Sequence, residues 1–455
     1  MKSMISKTRK AYLLLIVMVV VTGASMVYES VVKDTIPDEE VELPDYGTEK
    51  SFPAPIQRML DPGIAYAVFR LRIVAEEDVE EPQIAFPIPL EFENQVPLYF
   101  ELRFDPEDAV KTVVTRKRDE FNWICEVTFH HLNKGDAVDV KWDGFVLMRD
   151  RDYGDILSEK IEVAASEDLP QDVMVWLEST ASVQADHPEI QETAKRLRGS
   201  GNDVVRICNG IAEFLNKIEF GDPQSTDAVE ALHEGGYCTS YANLGAALFR
   251  TNGIPARILA VYPTLAPVLQ THYIVQFYVS GHGWVTLSSE GVSDRPYDYV
   301  VAAVVSPEDE NESFDKSFWS GRGVPWMSVP ESLSGPEISG HGLIDPQWDC
   351  DHGGGPVCEF DNIDHMEEAF ALTQQVWNHY LEDITTGKET PRALAAQKKA
   401  VLCTNLDEYI EVMNQAENEY TSSSIPFRGL LIVALLVALL VLAIWEHFRQ
   451  KSCRP

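Results

Sequence analysis

The sequence predicts an α+β protein that begins with an antiparallel β-sandwich and ends with a helical hairpin and a transmembrane helix. Short runs such as "YAVFRLRIV" and "FNWICEVTF" alternate apolar and polar residues, as half-buried strands do. After Pro188 the apolar residues recur at helical spacing, and strand-like runs such as "ARILAVY" and "HYIVQFYV" follow. The uncharged run "GLLIVALLVALLVLAIW" approaches the roughly 20 residues that span a bilayer.

The length of 455 residues is too great for one ordinary core, so we expect several structural units. Changes in composition and periodicity set their boundaries. The predicted units are, in order, a signal anchor or signal peptide (1–28), an acidic linker (29–62), a β-sandwich domain (63–165), an α+β core (166–300), a β extension with an acidic loop (301–362), a helical hairpin stalk (363–426), a transmembrane helix (427–446) and a cytoplasmic tail (447–455).

The charge balance excludes nucleic acid as a partner. Asp and Glu number 72 against 37 Lys and Arg, which gives a net charge of −35, whereas phosphate binding needs a basic surface. No phosphate-binding or dinucleotide-binding motif is present, so we predict no cofactor. The acidic loop at 345–364 does not match an EF-hand, because Gly353 and Phe360 occupy positions where carboxylates would be needed. No metal site is predicted.

Both ends of the chain point to a membrane. Lys2, Lys7, Arg9 and Lys10 precede an apolar run at 11–27, which is either a retained signal anchor or a cleaved signal peptide. The apolar run at 429–445 is followed by a short basic tail. Since positive flanks stay in the cytoplasm, the bulk of the chain is predicted to be extracellular or lumenal, held at the cell membrane by one or two passes.

The cysteines fit an outward-facing location. Cys350 and Cys358 flank the loop "DHGGGPV", and we predict a disulfide between them. Cys208 lies in an amphipathic helical pattern and is predicted to be a core residue.

The stretch "EGGYCTSYANLGAALFRTNGIPAR" places Cys238 at the start of a predicted helix. Two glycines precede Cys238, and Gly253 with Pro255 ends the helix. A cysteine attacks only as the thiolate, which the amide groups and dipole at a helix N-terminus stabilise. The same amide groups would stabilise an oxyanion on a substrate. Cys238 is therefore a candidate nucleophile.

A candidate base begins the strand "HYIVQFYV" at His272. The loop "SGHG" leads into "WVTLSSE", so the two strands should pair as a hairpin, with His272 opposite positions 288–291. Ser288 and Glu290 are two residues apart and share a face of their strand. Each is a candidate to orient the imidazole.

In this order, "GGYC", "LFRTNGIPARILAVY", a strand beginning with histidine and "GHGW" resemble the transglutaminase-like superfamily. The resemblance covers about 170–292 and implies a papain-like fold with a Cys-His-Asp triad. It assigns Cys238 as the nucleophile and His272 as the general base. The core predicted at 166–300 is then a transglutaminase-like domain acting on amide or ester bonds of a protein or peptide.

Two departures from the family pattern leave alternatives open. Ser288 occupies the place of the triad aspartate, and Tyr273 and Ile274 replace the usual Ala-Trp after the histidine. Ser288 can accept the imidazole N–H but brings no charge, whereas Glu290 brings charge but lies two residues further along. The chain is thus either a cysteine enzyme, hydrolysing its thioester or passing it to an amine, or a catalytically degenerate fold that serves as a surface binding or scaffold module.

Overall fold

A computed structural model of the chain describes residues 63–75, 77–149, 159–219, 225–263, 272–288, 291–292, 299–311, 333–334, 353–360 and 364–423. All of them belong to one of two units, Leu43–Pro455, the other being Met1–Glu42. Within these residues, no helix combines enough length with enough apolar character to cross a bilayer. The predicted apolar segments 11–27 and 429–445, the linker 29–62 and most of the acidic loop lie outside the described residues, as does Cys350 of the predicted disulfide.

The N-terminal strands form two antiparallel sheets, as the alternating pattern predicts. They are β1 (Gly63–Ala75), β2 (Gln83–Pro87), β3 (Gln95–Asp105), β4 (Val110–Lys117), β5 (Trp123–Phe129) and β6 (Ala137–Met148). One sheet contains β1, β6 and β3, and the other has the order β2-β5-β4. Alternate residues of β5 point into a core shared by both sheets, ending at the fully buried Phe129.

Cys125 on β5 gives the folded chain a pH-dependent stability. Burial raises the pKa of its thiol to about 12, although the Thr115 hydroxyl donates to the sulfur over 3.8 Å. An unfolded cysteine loses its proton near pH ~8.5. The stabilisation from the neutral buried thiol is therefore complete below about pH 8.5 and declines by about 1.4 kcal/mol per pH unit until about pH 12.

We expect Cys125→Ala to make the pH dependence of the unfolding free energy shallower above pH ~8.5. Urea unfolding at a series of pH values, followed by far-UV circular dichroism, measures the slope. If the slope of unfolding free energy against pH is the same in the variant, Cys125 is not its source. Cys208, predicted as core, is also fully buried and provides a second titrating thiol for comparison.

The central part of the chain is a helical layer on a third sheet. The helices are α1 (Gln171–Met174), α2 (Pro188–Arg198), α3 (Val204–Leu215), α4 (Ala228–Glu234) and α5 (Cys238–Thr251). The strands are β7 (Ala256–Pro263), β8 (His272–Val279), β9 (Gly283–Ser288), β10 (Gly291–Val292) and β11 (Tyr299–Val304), in the order β10-β9-β8-β7-β11. Helix α5 packs on this sheet, where the rings of Phe249 and Phe277 stack at 4.6 Å. The predicted helices after Pro188 and the predicted β8–β9 hairpin are confirmed.

The prediction of a small β extension of the core at 301–362 is wrong in two respects. Strand β11 crosses the predicted boundary and pairs with β7 inside the core sheet, followed by α6 (Pro307–Asn311). Strands β12 (Leu333–Ser334) and β13 (Gly353–Glu359) pair instead with β1 of the first sheet. Local sequence cannot indicate such distant pairing, because short strand patterns carry no information on which edge they join.

Two buried side-chain amides connect the N-terminal sheets to the core sheet. Gln95 donates to the carbonyl of Val301 at 2.9 Å and accepts from its N–H at 2.7 Å. Asn122 bonds the carbonyl and N–H of Val304 in the same manner, at 2.8 and 3.0 Å. Within the described residues β11 is an edge strand of its sheet. The two amides therefore provide hydrogen-bond partners for backbone groups on the side of β11 that faces away from β7.

The C-terminal helices differ from the predicted stalk. The described segment has three helices, α7 (Met366–Thr386), α8 (Pro391–Val401) and α9 (Leu406–Ser423), where two were predicted. The extra break follows from Asn405, whose side chain accepts from the N–H groups of Asp407 and Glu408 and so begins α9. The helices pack on the first sheet, and the Tyr380 hydroxyl donates to the carbonyl of Phe100 at 2.7 Å. This packed layer replaces the free-standing hairpin.

Candidate active site

The backbone ahead of Cys238 requires glycine at position 235. Gly235 has φ of +76°, and a Cβ there would lie 2.0 Å from the carbonyl oxygen of Glu219. The next residue, Gly236, donates its N–H to the same oxygen at 3.3 Å. The two glycines thus allow the backbone to lie in contact with Glu219 immediately before α5 begins.

We expect Gly235→Ala to lower the free energy of unfolding by about 3 kcal/mol, since the side chain adds a backbone clash to the strain of positive φ. Gly281→Ala is the matched control, because φ is +83° there but a Cβ would have no described atom within 4 Å. The control should cost only about 1 kcal/mol. Equal losses in urea denaturation would show that contact with Glu219 does not matter.

Cys238 is the first residue of α5, and its thiol is half-buried. Burial raises the pKa of the thiol, while hydrogen bonds from the backbone N–H of Tyr273 and from Thr239 act in the opposite direction. The net effect is a pKa above the ordinary value, so the thiol is neutral at physiological pH. A cysteine in this environment needs a base to become a nucleophile.

The contact with Tyr273 brings Cys238 beside the start of β8. His272 is the first residue of this strand, and its backbone pairs with Val261 of β7. Since the sulfur of Cys238 bonds the N–H of the next residue, the predicted nucleophile and the backbone of the predicted base are neighbours across the helix–sheet junction. These two predicted positions are brought together from 34 residues apart (272 − 238).

The third predicted position lies at the end of β9. Ser288 is the last residue of that strand, and Glu290 lies outside the described residues. The β8–β9 pairing is Val275 with Leu287. Beyond this pair β9 ends, and Ser288 pairs with Gly291 of β10. The described β8–β9 pairing therefore stops one residue before Ser288 and does not extend to position 290.

Arg250 and Arg257, to which the sequence motifs assigned no role, are buried. Arg250 at the end of α5 uses all five of its N–H groups, on the carbonyls of Glu178 and Ala256 and on both carboxylate oxygens of Glu310. Arg257 on β7 donates to Gln276 of β8 and to Glu93 in the turn between β2 and β3. The available signal was the presence of a full charge inside an otherwise apolar helix and strand.

Among the residues that the structure describes, no cluster of three or more His, Cys, Asp or Glu side chains is arranged to hold an ion.

The central segment is similar to a known family. Residues 191–289 match the family model of the transglutaminase-like superfamily, a span of 99 residues (289 − 191 + 1) that includes Cys238, His272 and Ser288 and ends before Glu290. No curated protein matches the chain.

Two solved structures resemble parts of the chain. One, called a "putative cysteine protease", is from Cytophaga hutchinsonii; it is 17% identical, with a TM-score of 0.47, over 60% of this chain and 88% of that one. A "putative protease" from Parabacteroides distasonis is 14% identical, with a TM-score of 0.22, over 50% of this chain and 47% of the other. Scores this low establish neither a common overall fold nor a common activity.

Proposed function

Because residues 191–289 form a transglutaminase-like core, we propose that the chain is a cysteine enzyme that cleaves or transfers acyl groups from amide or ester bonds of proteins or peptides. The observation that carries the proposal is the hydrogen bond from the Tyr273 N–H to the Cys238 thiol. This bond fixes a cysteine at a helix start directly beside the residue that follows His272.

The proposed reaction begins with proton transfer from the Cys238 thiol to the imidazole of His272. The sulfur then bonds to the substrate carbonyl carbon, and backbone N–H groups at the start of α5 stabilise the oxyanion. Collapse of this intermediate breaks the bond to the leaving amine or alcohol, which takes the proton from His272. Water or a primary amine, deprotonated by His272, then attacks the thioester and frees the thiol.

The raised pKa of Cys238 makes His272 essential in this scheme. Because burial holds the sulfur in its neutral form, the helix terminus alone does not supply a standing thiolate. The base must accept the proton as the substrate is attacked. Ser288 or Glu290 would hold the imidazole in the required tautomer, and Glu290 would in addition stabilise the imidazolium.

We further propose that the enzyme is displayed outside the cell membrane. Support comes from the apolar runs at 11–27 and 429–445 and from the basic residues beside them. The net charge of −35 favours protein or peptide substrates over nucleic acid.

A second candidate function is binding without catalysis. It is favoured by Ser288, which stands where the family has an aspartate and brings no charge to the imidazole. In that case the chain would bind a surface protein or polymer without forming a covalent bond to it.

The two functions are separated by acylation with p-nitrophenyl acetate. The enzyme should release a burst of p-nitrophenol and carry one acetyl group on Cys238, located by peptide mass spectrometry. Cys238→Ala should abolish both, whereas Cys208→Ala, which removes a fully buried thiol, should keep them. Acetylation elsewhere, or an unchanged burst in Cys238→Ala, would reject the enzyme. Faster deacylation with added methylamine would identify an acyltransferase, and no acceleration a hydrolase.

A further inference from the structure

The turn between β2 and β3 reaches the core sheet. Phe92 and Gln95 close this turn by two backbone hydrogen bonds, and the Gln95 amide attaches it to β11. Arg149 donates twice to the carbonyl of Glu93, and its guanidinium lies 4.0 Å from the centre of the Phe370 ring. The turn is thus fixed from both the sheet and the C-terminal helices, and it carries the side chain of Glu93.

The carboxylate of Glu93 contacts the buried charge on Arg257. The Arg257 Nη2 donates to Glu93 Oε1 at 2.8 Å, and the arginine side chain is only 10% exposed. Its guanidinium lies between two rings, 4.1 Å from the centre of Trp284 and 4.6 Å from that of Phe92. A charge removed from water in this way depends strongly on its carboxylate partner.

From Arg257 the contacts continue across the hairpin that carries the site. The Arg257 Nε and Nη2 both donate to the side-chain oxygen of Gln276 on β8, at 2.9 and 2.6 Å. The Gln276 amide in turn donates to the Thr286 hydroxyl on β9 at 3.2 Å. Gln276 and Thr286 are buried. A polar chain therefore runs from Glu93 through β7 and β8 to a point two residues before Ser288.

We propose that Glu93 is a positioning residue for the proposed reaction, acting through Arg257 and Gln276 on the β8–β9 hairpin. Glu93 lies outside the segment that matches the family, so the proposal extends the catalytic machinery to the turn between β2 and β3. The inference rests on the proposed function, because its consequence is the alignment of His272 and its orienting partner with Cys238. A displacement of about 1 Å at such a site can reduce the rate about 100-fold.

The test compares Glu93→Gln, which removes the charge at constant size, with Glu91→Gln in the full chain. Glu91 lies two residues away and is exposed, and it contacts Gln374 of α7. We expect Glu93→Gln to lower kcat for p-nitrophenyl acetate about 10- to 100-fold with little change in KM. Hydrogen exchange of the amides in 272–288 should become faster. Glu91→Gln should change neither, and Glu93→Asp should restore part of the rate.

Three outcomes would overturn the positioning role. They are an unchanged kcat, an effect confined to KM, and a kcat loss without faster exchange in 272–288. If the unaltered chain fails to acquire an acetyl group on Cys238, the proposed function fails by itself. Hydrogen exchange then still decides whether Glu93 holds the hairpin, since that measurement requires no activity.

Discussion

His272→Ala is expected to slow the acylation of Cys238 by about 10²- to 10⁴-fold, the usual contribution of a general base. The reason lies in the environment of the thiol. Burial raises the pKa of Cys238, so without a proton acceptor the sulfur stays protonated at neutral pH. The measurement is the rate constant for p-nitrophenol release from p-nitrophenyl acetate during the first turnover.

The pH profile separates a lost base from a damaged fold. In His272→Ala only the spontaneously ionised thiol reacts, and its fraction rises about tenfold per pH unit below the thiol pKa. The variant should therefore recover activity steadily with rising pH, whereas the unaltered chain should be active near neutrality. His233→Ala is the control, since this half-exposed histidine lies 2.9 Å from Glu189 on the helical layer. Equal burst rates for His272→Ala and the unaltered chain at every pH would eliminate the Cys-His pair.

Glu310→Ala is expected to destabilise the fold by about 3–5 kcal/mol, because it leaves the Arg250 charge buried without a counter-ion. The two side chains are 1% and 0% exposed and are joined by two hydrogen bonds of 2.8 Å. Glu310 also accepts from the Thr180 hydroxyl at 2.9 Å. The pair thus connects α6, the segment before α2 and the C-terminal end of the helix that begins with Cys238.

Urea denaturation monitored by circular dichroism measures how much unfolding free energy Glu310→Ala loses. Glu308→Ala is the matched control, because Glu308 lies in the same short helix and is exposed, and it should cost no more than about 0.5 kcal/mol. A loss below about 1 kcal/mol for Glu310→Ala would show that the interior tolerates the unpaired guanidinium. The variant should also lower the acylation rate, because the C-terminal end of α5 would lose its ion pair with Glu310.

The local features of the core were predictable from sequence. Paired glycines before Cys238 and "NGIP" after the helix fix its two ends, and "SGHG" fixes the β8–β9 hairpin. Each of these signals lies within a few residues of the structure that it determines. The proximity of Cys238 to the start of β8 follows from them once the helix packs on the sheet.

The remaining features depend on contacts that are distant in sequence. Nothing near Glu93 indicates that it meets Arg257, because the two are 164 residues apart. The partners of β12 and β13 were missed for the same reason. The sequence did not settle the third site residue, because it placed Ser288 and Glu290 on one strand face, whereas β9 ends at Ser288, which pairs with Gly291 of β10.

The pairing of β1 with β13 determines when the protein can complete its fold. Gly63 faces Glu359, so one edge of the first sheet has no β13 partner until the central sheet and its helices have left the ribosome. During synthesis this edge is open to other chains, and a chain truncated before residue 353 would keep it open.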